Sequence, residues 1–218
     1  MKTKFLLMSS LILLDIMILM FSCEPDSSTP SNAQIPNGGF ENWTNNGGHE
    51  YPTGWASCNL GGGPDYPVSK STDHYPINIG NYSVSMVNNA TRYQQGYCAA
   101  GFVNTALYLG YWGPTFPIIG HPNSFCGYYK FLPQNNDTML ISLYLYKNKA
   151  IVASAVLSST STVSNWTPFT IPISTYTTVD SAAIGFSAFY CKYGQSPYGP
   201  WGNSVLYVDN ISFDNLIH

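Results

Sequence analysis

Apolar and polar residues alternate with a period of two along much of the chain, and no long segment repeats apolar residues at helical spacing. Tyr82, Val84 and Met86 alternate with Ser83 and Ser85, and Met139, Ile141, Leu143 and Leu145 alternate with Ser142, Tyr144 and Tyr146. Strands are therefore predicted around 82–86, over 124–132, 138–146, 150–157, 166–173 and 182–190, and over 204–213. The polar Lys147-Asn148-Lys149 step between two of these makes 138–157 the clearest hairpin. Pro168 and Pro172 lack a backbone donor, which places their strand at a sheet edge. The intervening stretches 45–75, 108–122 and 192–203 are dense in Gly, Pro and Asn and read as loops. Short strands separated by such turns predict an all-β, antiparallel two-sheet β-sandwich or jelly roll.

The first residues follow another pattern. Lys2 and Lys4 precede an apolar run, 5–21, that is interrupted by Asp15 and ends at Ser22-Cys23. The run is short for a membrane span of about 20 apolar residues and reads as a signal peptide over 1–22. A small residue directly before Cys23 resembles a lipobox, with Cys23 the lipidated residue, although Met20 and Phe21 depart from the usual preference. Residues 23–34 are polar and proline-bearing and read as a flexible tether. The acids after Cys23, Glu24 and Asp26, resemble the surface-export signal of Bacteroidetes lipoproteins. The expectation is an exported protein, lipid-anchored to the outer membrane and facing the periplasm or the cell surface, with one domain over 35–218.

Only 9% of the 218 residues are charged, while 15% are aromatic, including 17 Tyr and 5 Trp. Without the segment before Cys23 the chain carries 10 acidic and 6 basic residues, and Arg92 is its one arginine. A duplex-binding protein neutralises several phosphates with Lys and Arg, so nucleic acid is excluded as a partner and an acidic polysaccharide is disfavoured. Beyond Cys23, the even set Cys58, Cys98, Cys126 and Cys191 permits two disulfides in an oxidising compartment. Three connectivities are open, as is the alternative of four buried thiols.

The domain opens with Ile35-Pro36-Asn37-Gly38-Gly39-Phe40-Glu41-Asn42-Trp43, then Gly54-Trp55, and closes with Val205-Leu206-Tyr207-Val208-Asp209-Asn210-Ile211-Ser212-Phe213. This pairing resembles the galactose-binding-like jelly rolls among carbohydrate-binding modules. Gly127-Tyr128-Tyr129-Lys130-Phe131-Leu132-Pro133, Asp137, the hairpin and Trp166-Thr167-Pro168-Phe169 further resemble the Bacteroidetes family named "putative carbohydrate metabolism domain". The resemblance implies a sandwich whose first and last strands lie side by side. It also implies that Glu41 and Asp209 hold a structural calcium there; the alternative is that both acids accept backbone hydrogen bonds. No organic cofactor is implied.

Aromatic residues in the loops supply the candidate binding site. Tyr108, Tyr111 and Trp112 fall in one loop, and Tyr193, Tyr198 and Trp201 in another, each beside glycines. Flat sugar C–H faces pack on such rings while polar groups such as Arg92 fix orientation. The alternative is that these rings cap the sandwich ends. Catalysis by glycoside hydrolysis needs two carboxylates about 5–9 Å apart. The one cluster of acids with histidines is His49, Glu50, Asp65, Asp73 and His74, in the 45–75 stretch; Asp137 is expected to be solvated in its turn. The expected function is therefore non-catalytic capture of a neutral glycan. A structural or adhesive role toward another envelope protein is the rival, and a hydrolase the third alternative.

Overall fold

The computed structural model describes residues 35–57, 59, 67–88, 97–100, 115–118, 120–174, 178–189 and 203–214. For 97–100 only the backbone is considered. Among the described residues there are thirteen strands and no α-helix.

Three groups of antiparallel strands account for them. A small hairpin pairs β1 (Trp43–Asn46) with β2 (His49–Pro52). One sheet runs in the order β10 (Ala150–Ser159), β9 (Met139–Lys147), β12 (Ser181–Ser187), β6 (Tyr97–Ala100) and β3 (Trp55–Ser57), with the two-residue β7 (Phe116–Pro117) also on β12. The other runs β11 (Val163–Pro172), β8 (Ser124–Leu132), β13 (Val205–Asp214), β5 (Ser83–Val87) and β4 (Val68–Ser71). The chain is thus an antiparallel β-sandwich.

Period-two alternation explains which faces meet. Met139, Ile141, Leu143 and Leu145 of β9 and Ile184 and Phe186 of β12 face Val84, Met86, Phe125, Phe131, Leu206 and Val208 of the other sheet in one buried cluster. Phe125 and Phe186 bridge the sheets with ring centroids 6.5 Å apart. The opening turn closes one end of this core. Phe40 is fully buried, and Trp55 sits 5.1 Å from it and 5.5 Å from Phe186, its indole N–H donating to the Pro36 carbonyl at 2.6 Å.

The β9–β10 hairpin forms as expected, with Asn148 and Lys149 both at positive φ, 50° and 69°. That is the turn whose twist matches the flanking strands. The proline-bearing strand, β11, does lie at a sheet edge. Two expectations need correction. The stretch 45–75 is not one loop: it carries β2, β3 and β4, and β1 reaches into it. These strands have three or four residues each, too few to display a period. And the opening segment meets the last strand as a turn, the Ile211 N–H donating to the Gly38 carbonyl at 2.9 Å. A Cβ on Gly38 would lie 2.5 Å from the Ile211 carbonyl oxygen, so glycine is what permits this approach.

Candidate functional site

The outer face of the five-stranded sheet carries a row of aligned residues. Strand register places Ser69 opposite Ser85, Ser85 opposite Tyr207, and Tyr207 opposite Lys130. Trp166 of β11 completes the row. Its ring and that of Tyr207 stand at 71° with centroids 6.4 Å apart, forming a corner. The Lys130 ammonium lies 5.0 Å from the Trp166 ring centroid and 5.9 Å from that of Tyr207. Both rings are partly exposed.

The chain after β4 borders this row. Asp73 accepts hydrogen bonds from the Trp166 indole N–H, at 2.9 Å, and from Lys130. Its backbone carbonyl accepts from the Ser83 hydroxyl at 2.6 Å, pinning the segment to the sheet. Burial alone would raise the Asp73 carboxyl. The bonds from Lys130 and Trp166 and the charges of Lys130 and His74 outweigh it and hold the group below its ordinary 3.8. Two residues on, the Tyr75 ring lies on Tyr128 at 4.5 Å. The result is a rigid sheet surface offering aromatic planes beside one anion and one cation. This suits a ligand with alternating apolar faces and hydroxyls.

Glu41 and Asp209 lie near the opening turn. The Glu41 carboxylate accepts the backbone N–H groups of Asn81, at 2.8 and 2.9 Å, and of Tyr82, at 3.0 Å. Its Oε1 occupies the space a Cβ on Gly80 would need, at 2.2 Å, and Gly80 has φ +77°. Asp209 is 3% exposed and accepts from the N–H groups of Tyr75 at 2.8 Å and Asn210 at 2.7 Å. Burial raises its carboxyl to about 7; the two N–H donors oppose this, and the neighbouring Glu41 charge adds to it. Both acids thus accept backbone N–H groups, the alternative expected of them, and each keeps further oxygen lone pairs of the kind calcium takes.

Of the acid and histidine cluster, His49, Glu50, Asp73 and His74 are described and Asp65 is not. Among the described residues no three His, Cys, Asp or Glu side chains group as a metal site. Glu50 instead pairs with Lys70 at 3.2 Å, Lys70 lying 5.9 Å from the Trp43 ring and 5.0 Å from Tyr82. Asp137 is corrected from solvated to buried, at 1% exposure. Its turn is as expected, but Asn88 and Ser204, remote in sequence, each supply a donor at 2.7 Å and draw the carboxylate inward. A groove of ≈ 380 Å³ between β10 and β11 is lined by Tyr129, Val156, Leu157, Pro168, Phe169 and the residues after it, with no charged side chain.

The candidate ligand residues Arg92, Tyr108, Tyr111, Trp112, Tyr198 and Trp201 lie outside the described residues, as do Cys23, Cys58, Asp65 and Cys191. Cys98 falls in β6, where only the backbone is described. Cys126 is buried on β8, its Sγ 3.6 Å from the Ser124 hydroxyl. The sheet-face cluster was not anticipated. Its signal was present, since Tyr128, Lys130 and Tyr207 alternate with the inward Phe125, Tyr129, Phe131, Leu206 and Val208.

No protein family matches the chain by sequence, and no curated protein sequence matches it. Solved structures are similar to it. A "putative glycoside hydrolase" of Bacteroides thetaiotaomicron is 15% identical, over 84% of this chain and 71% of that one, with a TM-score of 0.61. A second "putative glycoside hydrolase", of Bacteroides vulgatus, is 16% identical over 78% and 88% of the two chains, with a TM-score of 0.55. A "Family 16 Carbohydrate Binding Module-2" is 17% identical over 84% and 99%, with a TM-score of 0.48. What the first two likenesses establish is a shared fold.

Proposed function

We propose that this chain is an envelope lipoprotein, anchored through Cys23, whose sandwich binds a neutral glycan without cleaving it. The observation that carries the reading is the Trp166–Tyr207 corner with the Asp73–Lys130 pair at its edge. The rings supply stacking surfaces for sugar C–H faces, and the charged pair supplies an acceptor and a donor for hydroxyls. Both rings ride on strands, so the platform is preorganised.

A non-catalytic role is supported by the engagement of the described carboxylates other than the buried Asp137. Glu50 and Asp73 are paired with lysines, and Asp214 accepts from the Ser124 hydroxyl at 3.4 Å. Asp180 accepts from the Asn148 N–H at 2.8 Å and the Ser181 hydroxyl at 2.8 Å. Glu41 and Asp209 would hold a structural calcium that fastens the opening turn to β13; the burial of Asp209 keeps this acid away from any substrate.

Affinity gel electrophoresis against a panel of neutral polysaccharides tests the proposal. Binding by the chain, lost in Trp166→Ala and Tyr207→Ala, supports the sheet face. Loss only in Trp112→Ala or Trp201→Ala moves the site to those loops. Release of reducing ends from any bound polysaccharide refutes the non-catalytic assignment.

A further inference from the structure

At the other end of the five-stranded sheet, three segments converge on a buried carboxylate. Asn88 follows β5, Asp137 ends the turn between β8 and β9, and Ser204 precedes β13. Asn88 is 0% and Asp137 1% exposed. Asp137 Oδ2 accepts from the Asn88 amide and from the Ser204 hydroxyl, both at 2.7 Å. The backbone joins the segments further: the Asn88 N–H donates to the Ser204 carbonyl at 2.8 Å, the Asp137 N–H to the Gln134 carbonyl at 3.0 Å, and the Gln134 N–H to the Ser204 hydroxyl at 2.7 Å.

Two oxygens in this cluster have no partner: Asp137 Oδ1 and Asn88 Oδ1. Each is the geminal neighbour of an atom in the Asn88–Asp137 hydrogen bond. The amide orientation is not arbitrary, because turning it over would set its carbonyl against a carboxylate oxygen that already accepts from the Ser204 hydroxyl. Both orphans are therefore acceptors. Among the described residues the carboxylate has no cationic partner, for its two donors are a neutral amide and a neutral hydroxyl. Buried carboxylates are paired with charge or bind metal. A water molecule would satisfy acceptors alone, whereas a cation also answers a carboxylate with no cationic partner among the described residues.

We infer that Asp137, Asn88 and Ser204 form a binding site for a hard divalent cation, calcium, distinct from Glu41 and Asp209. The donor set is all oxygen: a carboxylate, an amide carbonyl, a hydroxyl and the Gln134 carbonyl, which lies 3.3 Å from that hydroxyl, the kinds of ligand calcium takes in irregular geometry. The ion would fasten the crossover between the two sheets to the ends of β5 and β13. Chain segments leave from there toward Arg92 and Trp201, four and three residues away in sequence.

Native mass spectrometry of the chain, titrated with calcium after EDTA treatment, counts bound ions. The expected result is one fewer calcium in Asp137→Asn than in the parent, while Glu41→Gln retains the Asp137-dependent ion. A parent that binds no calcium, or an Asp137→Asn variant that binds as many ions as the parent, overturns the site. Asn88→Asp decides the matter should Asp137→Asn fail to fold. The added carboxylate is expected to tighten calcium roughly tenfold. Calcium at a hundredfold excess should then raise the melting temperature by about 5–10 °C over the EDTA value. A melting temperature of Asn88→Asp indifferent to calcium refutes the inference.

Discussion

The indole N–H of Trp166 reaches the Oδ1 of Asp73 at 2.9 Å, joining an edge strand to the segment after β4 across 93 residues of sequence. The bond holds the indole in one orientation beside Tyr207. It makes the aromatic corner a fixed surface whose parts can be removed one at a time.

Removing the ring is expected to abolish binding. Trp166→Ala should weaken a bound neutral polysaccharide by at least about 30-fold, the effect of deleting an interface hot spot of about 2 kcal/mol. Trp166→Phe keeps a stacking plane but loses the donor to Asp73, and should fall between parent and alanine. Affinity gels measure all three. Equal retardation of parent and Trp166→Ala would remove this face from consideration.

Acid should expose the role of Asp73. Its carboxyl titrates below 3.8 in the folded chain, so the folded state favours the ionised form. Its stabilising contribution is present above the unfolded value of about 4 and disappears as the pH falls through the folded value. Thermal melts of the parent and Asp73→Asn should differ most above about pH 4 and converge as the pH is lowered below it. A gap that stays constant through that range would assign the difference to something other than this ionisation.

Gly38→Ala tests how the opening turn is fastened. The new methyl would meet the Ile211 carbonyl oxygen at 2.5 Å, a backbone atom with nowhere to go. Overpacking of this kind costs about 1–3 kcal/mol, or about 2–12 °C in melting temperature for a domain of this size. An unchanged melt would mean that the turn separates from β13 without cost.

The opposite sign is expected at Lys149. It occupies a left-handed conformation, φ 69°, at the second position of the β9–β10 turn. Lys149→Gly should relieve about 1 kcal/mol of backbone strain and raise the melting temperature by about 2–4 °C. Differential scanning calorimetry reads this directly. A lower melting temperature in Lys149→Gly would show that the side chain contributes more than the backbone loses.

What could be read in the chain before folding was what local pattern encodes. The β9–β10 hairpin was legible because Met139 to Leu145 alternate and Asn148-Lys149 interrupts them. The edge position of β11 was legible because Pro168 and Pro172 cannot donate to a neighbour. The strands within 45–75 were hidden by their brevity. The inward turn of Asp137 was hidden because its partners, Asn88 and Ser204, lie 49 and 67 residues away. The sheet-face corner failed to appear for the same reason: Trp166, Tyr207, Lys130 and Asp73 come from four separate segments, and only register brings them together.

The position of β13 has a consequence in time. It lies between β8 and β5, in the middle of its sheet, although it is the last of the described strands. A chain emerging in order cannot complete that sheet until residues 205–214 arrive. Until then β5 and β8 each present an unpaired backbone edge, the kind of surface on which chains wrongly associate. Slow, late closure is therefore built into the topology.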